Sequence, residues 1–140
     1  MLPPTVVPIA CAVDHSYVLP LAVMLESLTQ HLRPGLHAEL YLIHAGLPQS
    51  SLSSVSSIIE THSIPLSGAQ LSAAPRAPRF PREASAPLLL PELLPPDVER
   101  ILFLDADMLV LQDLANLWET PLDDHVLAAV PFTWFSFGMR

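Results

Sequence analysis

The chain has 140 residues, of which 51% are hydrophobic, so it can form one ordinary domain with a buried core. Six arginines, no lysine and 14 acidic residues give a net charge of −8. Such a surface repels phosphate backbones, which argues against nucleic-acid binding. We therefore expect a single folded domain over residues 1–140 whose partners do not include nucleic acid.

The single cysteine, Cys11, excludes internal disulfides and zinc sites built from cysteines. The N-terminus lacks the basic start of a signal peptide, and no apolar run approaches the ~18 residues of a membrane-spanning helix. We expect a soluble, cytoplasmic protein with no transmembrane segment.

The first element predicted is a strand over residues 5–13, which is β-rich and apolar on both faces, as central parallel strands are. It ends at the segment 14–17, Asp-His-Ser-Tyr. An acid and a hydroxyl directly after a buried strand suit the hydroxyls of a sugar or base, and equally suit the cap of the next helix. The 3.6-residue spacing of apolar side chains predicts that helix from Val18 to Leu32.

Strand and helix then alternate. A second strand is predicted over residues 39–44, and His44 at its end is interpreted as a loop or packing residue rather than a ligand. A second helix is predicted over residues 48–60, although four serines weaken its helical propensity. A third strand is predicted over residues 64–71.

Residues 72–87 are rich in proline and arginine, which predicts an irregular loop within the domain. A short helix over residues 88–94 is expected to lead into the central strand. Beyond that strand we expect a helical turn over residues 113–118 and a strand over residues 125–130. This alternation predicts an α/β fold with a largely parallel sheet.

The central strand is predicted from the stretch Ile101–Leu111, where two runs of four apolar residues flank Asp105 and Asp107. An unpaired carboxylate inside a buried strand is energetically costly. At positions i and i+2 of an extended chain, two carboxylates point to the same side and repel each other unless a cation lies between them. Oxygen ligands suit Mg²⁺ or Mn²⁺.

The hypothesis is therefore a metal site at the end of a central strand, where open α/β sheets bind ligands. Acid pairs of this spacing also occur by chance in turns and at solvated helix starts. The setting between two apolar runs favours the metal site. The sequence contains no glycine-rich phosphate-binding loop, so a dinucleotide-binding or P-loop protein is not supported.

Several blocks in the correct order resemble glycosyltransferase family 8, the family of glycogenin and the bacterial lipopolysaccharide galactosyl- and glucosyltransferases. The resemblance extends from about Pro8 to Val130. The blocks are residues 9–17 with the helix after them, 90–95, 101–110 with its Asp-Ala-Asp, 113–118 and 122–130.

The resemblance implies a GT-A fold, which is a Rossmann-like nucleotide-diphospho-sugar transferase fold, here incomplete at its C-terminus. It also implies metal-dependent transfer of a hexose from a UDP-sugar, with retention of anomeric configuration, to a carbohydrate, lipopolysaccharide or protein acceptor. By position, Asp105 and Asp107 would bind Mn²⁺ (or Mg²⁺) and the donor diphosphate, with Ala106 between them in the donor site.

By the same resemblance, four residues after the first strand would line the uridine pocket: Ala12, Asp14, Ser16 and Tyr17. Asp14 would lie near the uracil or ribose, and Tyr17 would stack. A divalent cation would act as a Lewis acid, because sugar transfer from a diphosphate requires the charge of the departing UDP to be neutralised.

The chain also departs from the family pattern. Ser85 and Pro87 stand where the family usually has tyrosine and arginine, and His15-Ser16 stands where it often has asparagine or a second aspartate. The family's downstream metal-binding histidine and phosphate-binding lysine have no counterpart before Arg140. We therefore expect this chain to be the nucleotide- and metal-binding half of such an enzyme, and we expect the 140 residues alone not to transfer sugar at a useful rate.

Two alternatives remain open. The first is a catalytically inactive, truncated relic that keeps the fold and weak UDP binding. The second is a doubly wound signalling or interaction domain that binds Mg²⁺ through the acid pair. A receiver-like domain would carry a lysine late in the chain, and this sequence has none.

Overall fold

The structure, a computed structural model, describes residues 5–73 and 82–131. Its four strands are β1 (Thr5–Val13), β2 (Leu36–His44), β3 (Thr61–Pro65) and β4 (Leu102–Phe103). They pair in parallel in the order β3-β2-β1-β4. The predicted α/β fold with a mostly parallel sheet is therefore confirmed.

The helices are α1 (Val18–His31), α2 (Gln49–Ser56), α3 (Gly68–Ala73), α4 (Leu90–Leu93) and α5 (Ala115–Trp118), with 3-10 helices at His15–Tyr17 and Arg82–Leu89. None of the helices in the described ranges is long and apolar enough to cross a membrane.

Strand β1 lies at the centre of the sheet and is buried on both faces, as its continuous apolar sequence predicts. On one face Val7, Ile9 and Cys11 belong to a core cluster that includes side chains of α1 and α2. On the other face Ala10 belongs to a second cluster with Leu90 of α4. A helical layer therefore packs on each side of the sheet, which is the doubly wound arrangement.

Helix α1 follows its predicted periodicity closely. Its inner face consists of four fully buried side chains, Leu21, Met24, Leu25 and Leu28. The helix ends one residue before the predicted end, because Leu32 is already extended and its N–H bonds to the C=O of Leu28. Gly35 then takes a positive φ of 87°, which an L side chain rarely adopts.

The predicted third strand at 64–71 is wrong in its position. The strand is Thr61–Pro65, and residues 68–73 form helix α3. The reason is a capping box: the Ser67 hydroxyl accepts from the Gln70 N–H, and the Gln70 side-chain oxygen accepts from the Ser67 N–H. This Ser-x-x-Gln pattern was a readable helix start.

Two other boundaries also differ from the prediction. Helix α2 covers only Gln49–Ser56 rather than 48–60. The irregular loop predicted at 72–87 is wrong at both ends, where α3 and the 3-10 helix Arg82–Leu89 form, and its middle lies outside the described residues. The short helix predicted at 88–94 is α4, Leu90–Leu93.

The single long strand predicted around the acid pair is wrong. Strand β4 contains only Leu102 and Phe103, and the chain turns at Ala106 and Asp107. In the second apolar run Val110 is buried, whereas Leu109 is 63% exposed. An apolar run can therefore be an extended segment that places one side chain against a helix, and composition alone does not distinguish it from a strand.

The strand predicted at 125–130 is not present either. These residues form no ladder, and Val126 is 96% exposed. A strand needs a neighbour that satisfies its backbone N–H and C=O groups, and no strand of the described sheet pairs with this segment.

The segment after the acid pair is held on α1 by Ser27. The Val110 N–H donates to Ser27 Oγ at 3.0 Å, and the Ser27 hydroxyl donates to the C=O of Met24 at 2.7 Å. Ser27 thus uses both its donor and one acceptor position. This contact fixes where the chain lies three residues after Asp107.

A second contact holds the same segment at the end of α1. Asp113 accepts from the Arg33 N–H at 2.5 Å and from the Ala115 N–H at 2.6 Å. Both bonds lower the pKa of Asp113 below its ordinary value, and the bond from the Ala115 N–H has the larger effect. The Arg33 guanidinium also pairs with Glu119 at 2.7 Å.

His44, predicted to be a loop or packing residue, is buried at the end of β2. Its Nδ1 accepts from the N–H groups of Gly46 and Leu47 at 3.2 and 3.0 Å, so its Nε2 carries the proton and donates to Ser63 Oγ at 2.8 Å. Burial lowers the pKa of His44. The neutral ring therefore joins β2, β3 and the loop before α2.

The first prediction concerns pH. Because the pKa of His44 is lower in the folded chain than its unfolded value of about 6.5, the unfolded state binds a proton more readily below that pH. The free energy of unfolding should therefore fall as the pH decreases from ~7.5 to ~5.5. His44 contributes the uptake of at most one proton to this pH dependence. Urea unfolding at several pH values measures it.

The matched variant is His44→Asn, whose side-chain oxygen can accept a loop N–H but does not titrate. Its stability should depend less on pH over the same range than that of the natural chain. Both proteins share the other histidines, so the difference between their profiles isolates His44. Parallel profiles would contradict the assignment.

The second prediction concerns Ser27→Ala. Losing the acceptor for this partly buried N–H should cost about 1 kcal/mol of unfolding free energy and accelerate hydrogen exchange at the Val110 amide. Ser54→Ala is the control, because that exposed hydroxyl bonds only to Ser50 within α2. Unchanged exchange at Val110 in Ser27→Ala would show that this contact does not hold the segment.

Candidate functional site

The order of the strands creates a crevice between β1 and β4. The chain steps from β1 to β2 to β3 on one side, then returns so that β4 lies on the other side of β1. In open α/β sheets, ligands bind at such a reversal, beyond the carboxyl ends of the strands. Asp14 follows β1 directly and Asp105 lies two residues after β4, so both sequence-predicted groups come to this edge.

The acid pair begins where β4 leaves the sheet. The Leu104 N–H still donates to the C=O of Ala10 at 2.9 Å, which extends the contact with β1 by one residue. Leu104 and Ala106 are buried in the core, whereas Asp105 and Asp107 are both exposed. The prediction placed both carboxylates on the same side of an extended strand, whereas here the chain turns at Ala106 and Asp107 and leaves both carboxylates exposed.

Neither of these carboxylates has a hydrogen-bond or ion-pair partner among the residues that the structure describes. Asp105 acts electrostatically on Cys11. Burial and, to a smaller extent, the negative charge of Asp105 raise the pKa of the Cys11 thiol to about 12. Asp105 therefore lies near β1. The buried thiol therefore stays protonated at neutral pH.

The acid pair is positioned from both sides. Before the turn, the Leu104 N–H bonds to β1, and after it the Val110 N–H bonds to Ser27 of α1. Ser27 is not among the residues predicted from the sequence to form the site. Its only signal was a hydroxyl next to the apolar face of α1, and that pattern does not identify a partner 83 residues away.

The other predicted site residues follow β1. Asp14 caps the 3-10 helix His15–Tyr17, because its Oδ1 accepts from the Ser16 N–H at 2.8 Å, the Ser16 hydroxyl at 2.5 Å and the Tyr17 N–H at 3.3 Å. The Ser16 hydroxyl is the main reason that the pKa of Asp14 is lowered. Tyr17 is 44% exposed and Ala12 is half-buried.

The donor set of the acid pair fits a hard divalent cation. In the described ranges no three groups among His, Cys, Asp and Glu come close enough together to hold a metal ion. A pair of carboxylates is still a fitting set for Mg²⁺ or Mn²⁺, which commonly bind one or two carboxylates and complete their coordination with water and phosphate oxygens. Asp105 and Asp107 would be those ligands.

A groove of about 740 Å³ lies at the opposite edge of the sheet. Its lining includes Val6, Arg33, Leu36 and Glu60, which are near the amino ends of the strands and the end of α1. It contains none of the sequence-predicted site residues. Ser85 and Pro87 lie in the 3-10 helix that leads into α4.

Comparison with known proteins supports the resemblance to family 8. The family model described as "Glycosyl transferase family 8" matches residues 8–137. The glycosyltransferase GlyE of Streptococcus pneumoniae is 25% identical over 123 residues, which are 83% of this chain and 29% of that protein. "Probable galacturonosyltransferase-like 6" of Arabidopsis thaliana is 38% identical over 48 residues, 34% of this chain and 14% of that protein.

Solved structures are similar over most of the chain. The galactosyltransferase LgtC, in complex with donor and acceptor sugar analogues, superposes with a TM-score of 0.73 and 25% identity over 84% of this chain and 44% of that one. The ligand-free structure of GlyE superposes with a TM-score of 0.71 and 23% identity over 97% of this chain and 32% of that one.

The chain thus spans less than a third of the length of these curated relatives. Both the GT-A fold and the family that the sequence resembles are confirmed. The chain belongs to glycosyltransferase family 8.

Proposed function

We propose that this chain is the nucleotide- and metal-binding portion of a retaining glycosyltransferase that uses a UDP-hexose as its donor. The observation that carries the proposal is the exposed pair Asp105 and Asp107 beside β1, at the edge where the Asp14–Tyr17 turn also lies. The acceptor would be a carbohydrate, a lipopolysaccharide or a protein.

Similar proteins support sugar transfer. The LgtC structure is described as a galactosyltransferase with donor and acceptor sugar analogues, and GlyE is named a glycosyltransferase. We propose the same class of reaction here. Because the chain spans only part of each relative, we also propose that the 140 residues do not transfer sugar at a useful rate alone.

In this proposal Asp105 and Asp107 supply oxygen ligands to Mn²⁺ or Mg²⁺, and Ala106 places its backbone next to the donor. The cation, when bound, supplies a Lewis acid that neutralises the charge of the departing nucleoside diphosphate. The residues of this chain hold the acid pair at a fixed place through the contacts at Leu104 and Val110.

Charge explains why nucleotide binding should depend on metal. Two arginines have described side chains, and both are engaged: Arg33 pairs with Glu119, while Arg100 lies 5.1 Å from the ring centre of Trp118 and donates to the C=O of Thr120. A diphosphate that approaches Asp105 and Asp107 without a cation would be repelled by two like charges.

For the nucleoside, we propose that Asp14, Ser16, Tyr17 and Ala12 line the uridine pocket. The lowered pKa of Asp14 keeps its carboxylate ionised at neutral pH, so it can accept hydrogen bonds from the base or ribose. The exposed ring of Tyr17 is available for stacking on the base.

The two alternative functions differ in how well they fit membership of family 8. Membership of family 8 does not support an unrelated signalling domain that binds Mg²⁺. A relic that keeps the fold and weak UDP binding would use the same residues, and it differs from the enzyme only in the turnover of the complete protein. Ser85 and Pro87, at positions where the family usually has tyrosine and arginine, are the departures that bear on that difference.

The third prediction is metal-dependent binding of UDP. Calorimetry should give tighter UDP binding with Mn²⁺ than with EDTA, because the cation offsets the repulsion between diphosphate and carboxylates. Asp105→Asn and Asp107→Asn should each weaken the metal-dependent binding on the order of tenfold or more, since even indirect partners of metal ligands are worth that much.

The control is Asp124→Asn, which removes the same charge from an exposed residue outside the acid pair. It should bind UDP and Mn²⁺ as the natural chain does. Equal UDP affinity with Mn²⁺ and with EDTA in the natural chain would refute the proposed site.

A further inference from the structure

The two oxygens of the Asp14 carboxylate differ in the number of hydrogen bonds that they accept. Its Oδ1 accepts three hydrogen bonds, two from the N–H groups of Ser16 and Tyr17 and one from the Ser16 hydroxyl. Its Oδ2 has no partner among the described residues. One oxygen is therefore saturated by the turn, and the other remains able to accept a hydrogen bond from a ligand.

The Ser16 hydroxyl is not free to donate a hydrogen bond to a ligand. It has one hydrogen, and that hydrogen is donated to Asp14 at 2.5 Å, the shortest of the three bonds. A direct hydrogen bond from Ser16 to a nucleotide acceptor would require this bond to break. As a donor, Ser16 therefore acts on a nucleotide only through Asp14, although its oxygen can still accept a hydrogen bond.

We infer that Ser16 is a positioning residue: it holds the Asp14 side chain in one rotamer, ionised, with Oδ2 directed to accept an N–H or O–H of the base or ribose. The inference rests on the proposed function, because it concerns the same nucleoside pocket. It adds to that proposal a role for Ser16, which lines the pocket without donating a hydrogen bond to the nucleotide.

The electrostatic surroundings agree with this role. The hydrogen bond from the Ser16 hydroxyl is the largest influence that lowers the pKa of Asp14, and the nearby His15 ring lowers it further. No other charged group of the described residues acts on this carboxyl. A carboxylate with a lowered pKa accepts hydrogen bonds over a wider pH range, and a protonated one would lose part of that capacity.

The experiment is a double-mutant cycle on UDP binding in the presence of Mn²⁺. Ser16→Ala should weaken binding about threefold to tenfold, the range for loss of one ordinary hydrogen bond, because Ser16 acts only through Asp14. Ser16→Thr keeps the hydroxyl and should bind as the natural chain does. In the Asp14→Ala background, Ser16→Ala should cause no further loss, because nothing is left for Ser16 to position.

An equal loss from Ser16→Ala in the natural and Asp14→Ala backgrounds would overturn the inference, since it would show direct contact with the nucleotide. Weak binding by Ser16→Thr would also overturn it. Thermal unfolding of each variant identifies losses that come from misfolding, and Ser54→Ala is again the matched control.

A ligand-free measurement separates this inference from the proposed function. NMR titration of the Asp14 carboxyl carbon should give a lower pKa in the natural chain than in Ser16→Ala, whether or not UDP binds. If the natural chain binds no UDP, the proposed function fails, and this titration still decides whether Ser16 holds the Asp14 carboxylate in its ionised form. Identical pKa values in the two proteins would overturn it.

Discussion

The candidate site depends on the pairing of β1 with β4. This ladder is short, with Ile9 opposite Leu102 and Ala10 opposite Phe103, and the bond from the Leu104 N–H to Ala10 extends it. It brings the end of a strand from the second half of the described chain to the end of the first strand. Without it, Asp105 and Asp107 would have no fixed relation to Asp14, and the two predicted groups would not share an edge.

Helix α1 completes this arrangement from one side of the sheet. Four fully buried side chains attach it, and each contributes about 1.5–3 kcal/mol by removal from water. The bond from Val110 to Ser27 contributes only about 1 kcal/mol. Hydrophobic burial therefore holds the helix in place. The weaker polar contacts determine where the segment after the acid pair lies, and so where its carboxylates are.

Much of the fold was readable from local pattern. The continuous apolar run predicted β1, and the helical periodicity predicted α1 to within one residue, because burial on two faces or on one stripe leaves a clear trace. At Leu109 and Val126 the apolar runs predict strands, but the described chain makes no strand pairing there, because burial of apolar side chains does not require a ladder. The Ser67–Gln70 capping box is a helix-start signal that the sequence does contain.

In the candidate site, too, some residues could be predicted from the sequence and others could not. The acid pair and the residues after β1 could be selected from sequence, because charged and polar groups at the end of buried strands stand out against their surroundings. Ser27 and Asp113 could not, because their importance lies in contacts with residues about 80 positions away. The separate roles of Asp14 and Ser16 could be inferred only from the hydrogen-bond geometry.

The central claim is that the carboxyl ends of β1 and β4 form one site for a divalent cation and a nucleotide. Paramagnetic broadening by Mn²⁺ in the NMR spectrum of the isotope-labelled chain tests it most directly. With UDP present, substoichiometric Mn²⁺ should broaden the amide signals of residues 105–107 first and those of residues 12–17 with them. Broadening centred on the groove at the opposite edge, around Leu36 and Glu60, or broadening at residues 105–107 that never reaches residues 12–17, would contradict it.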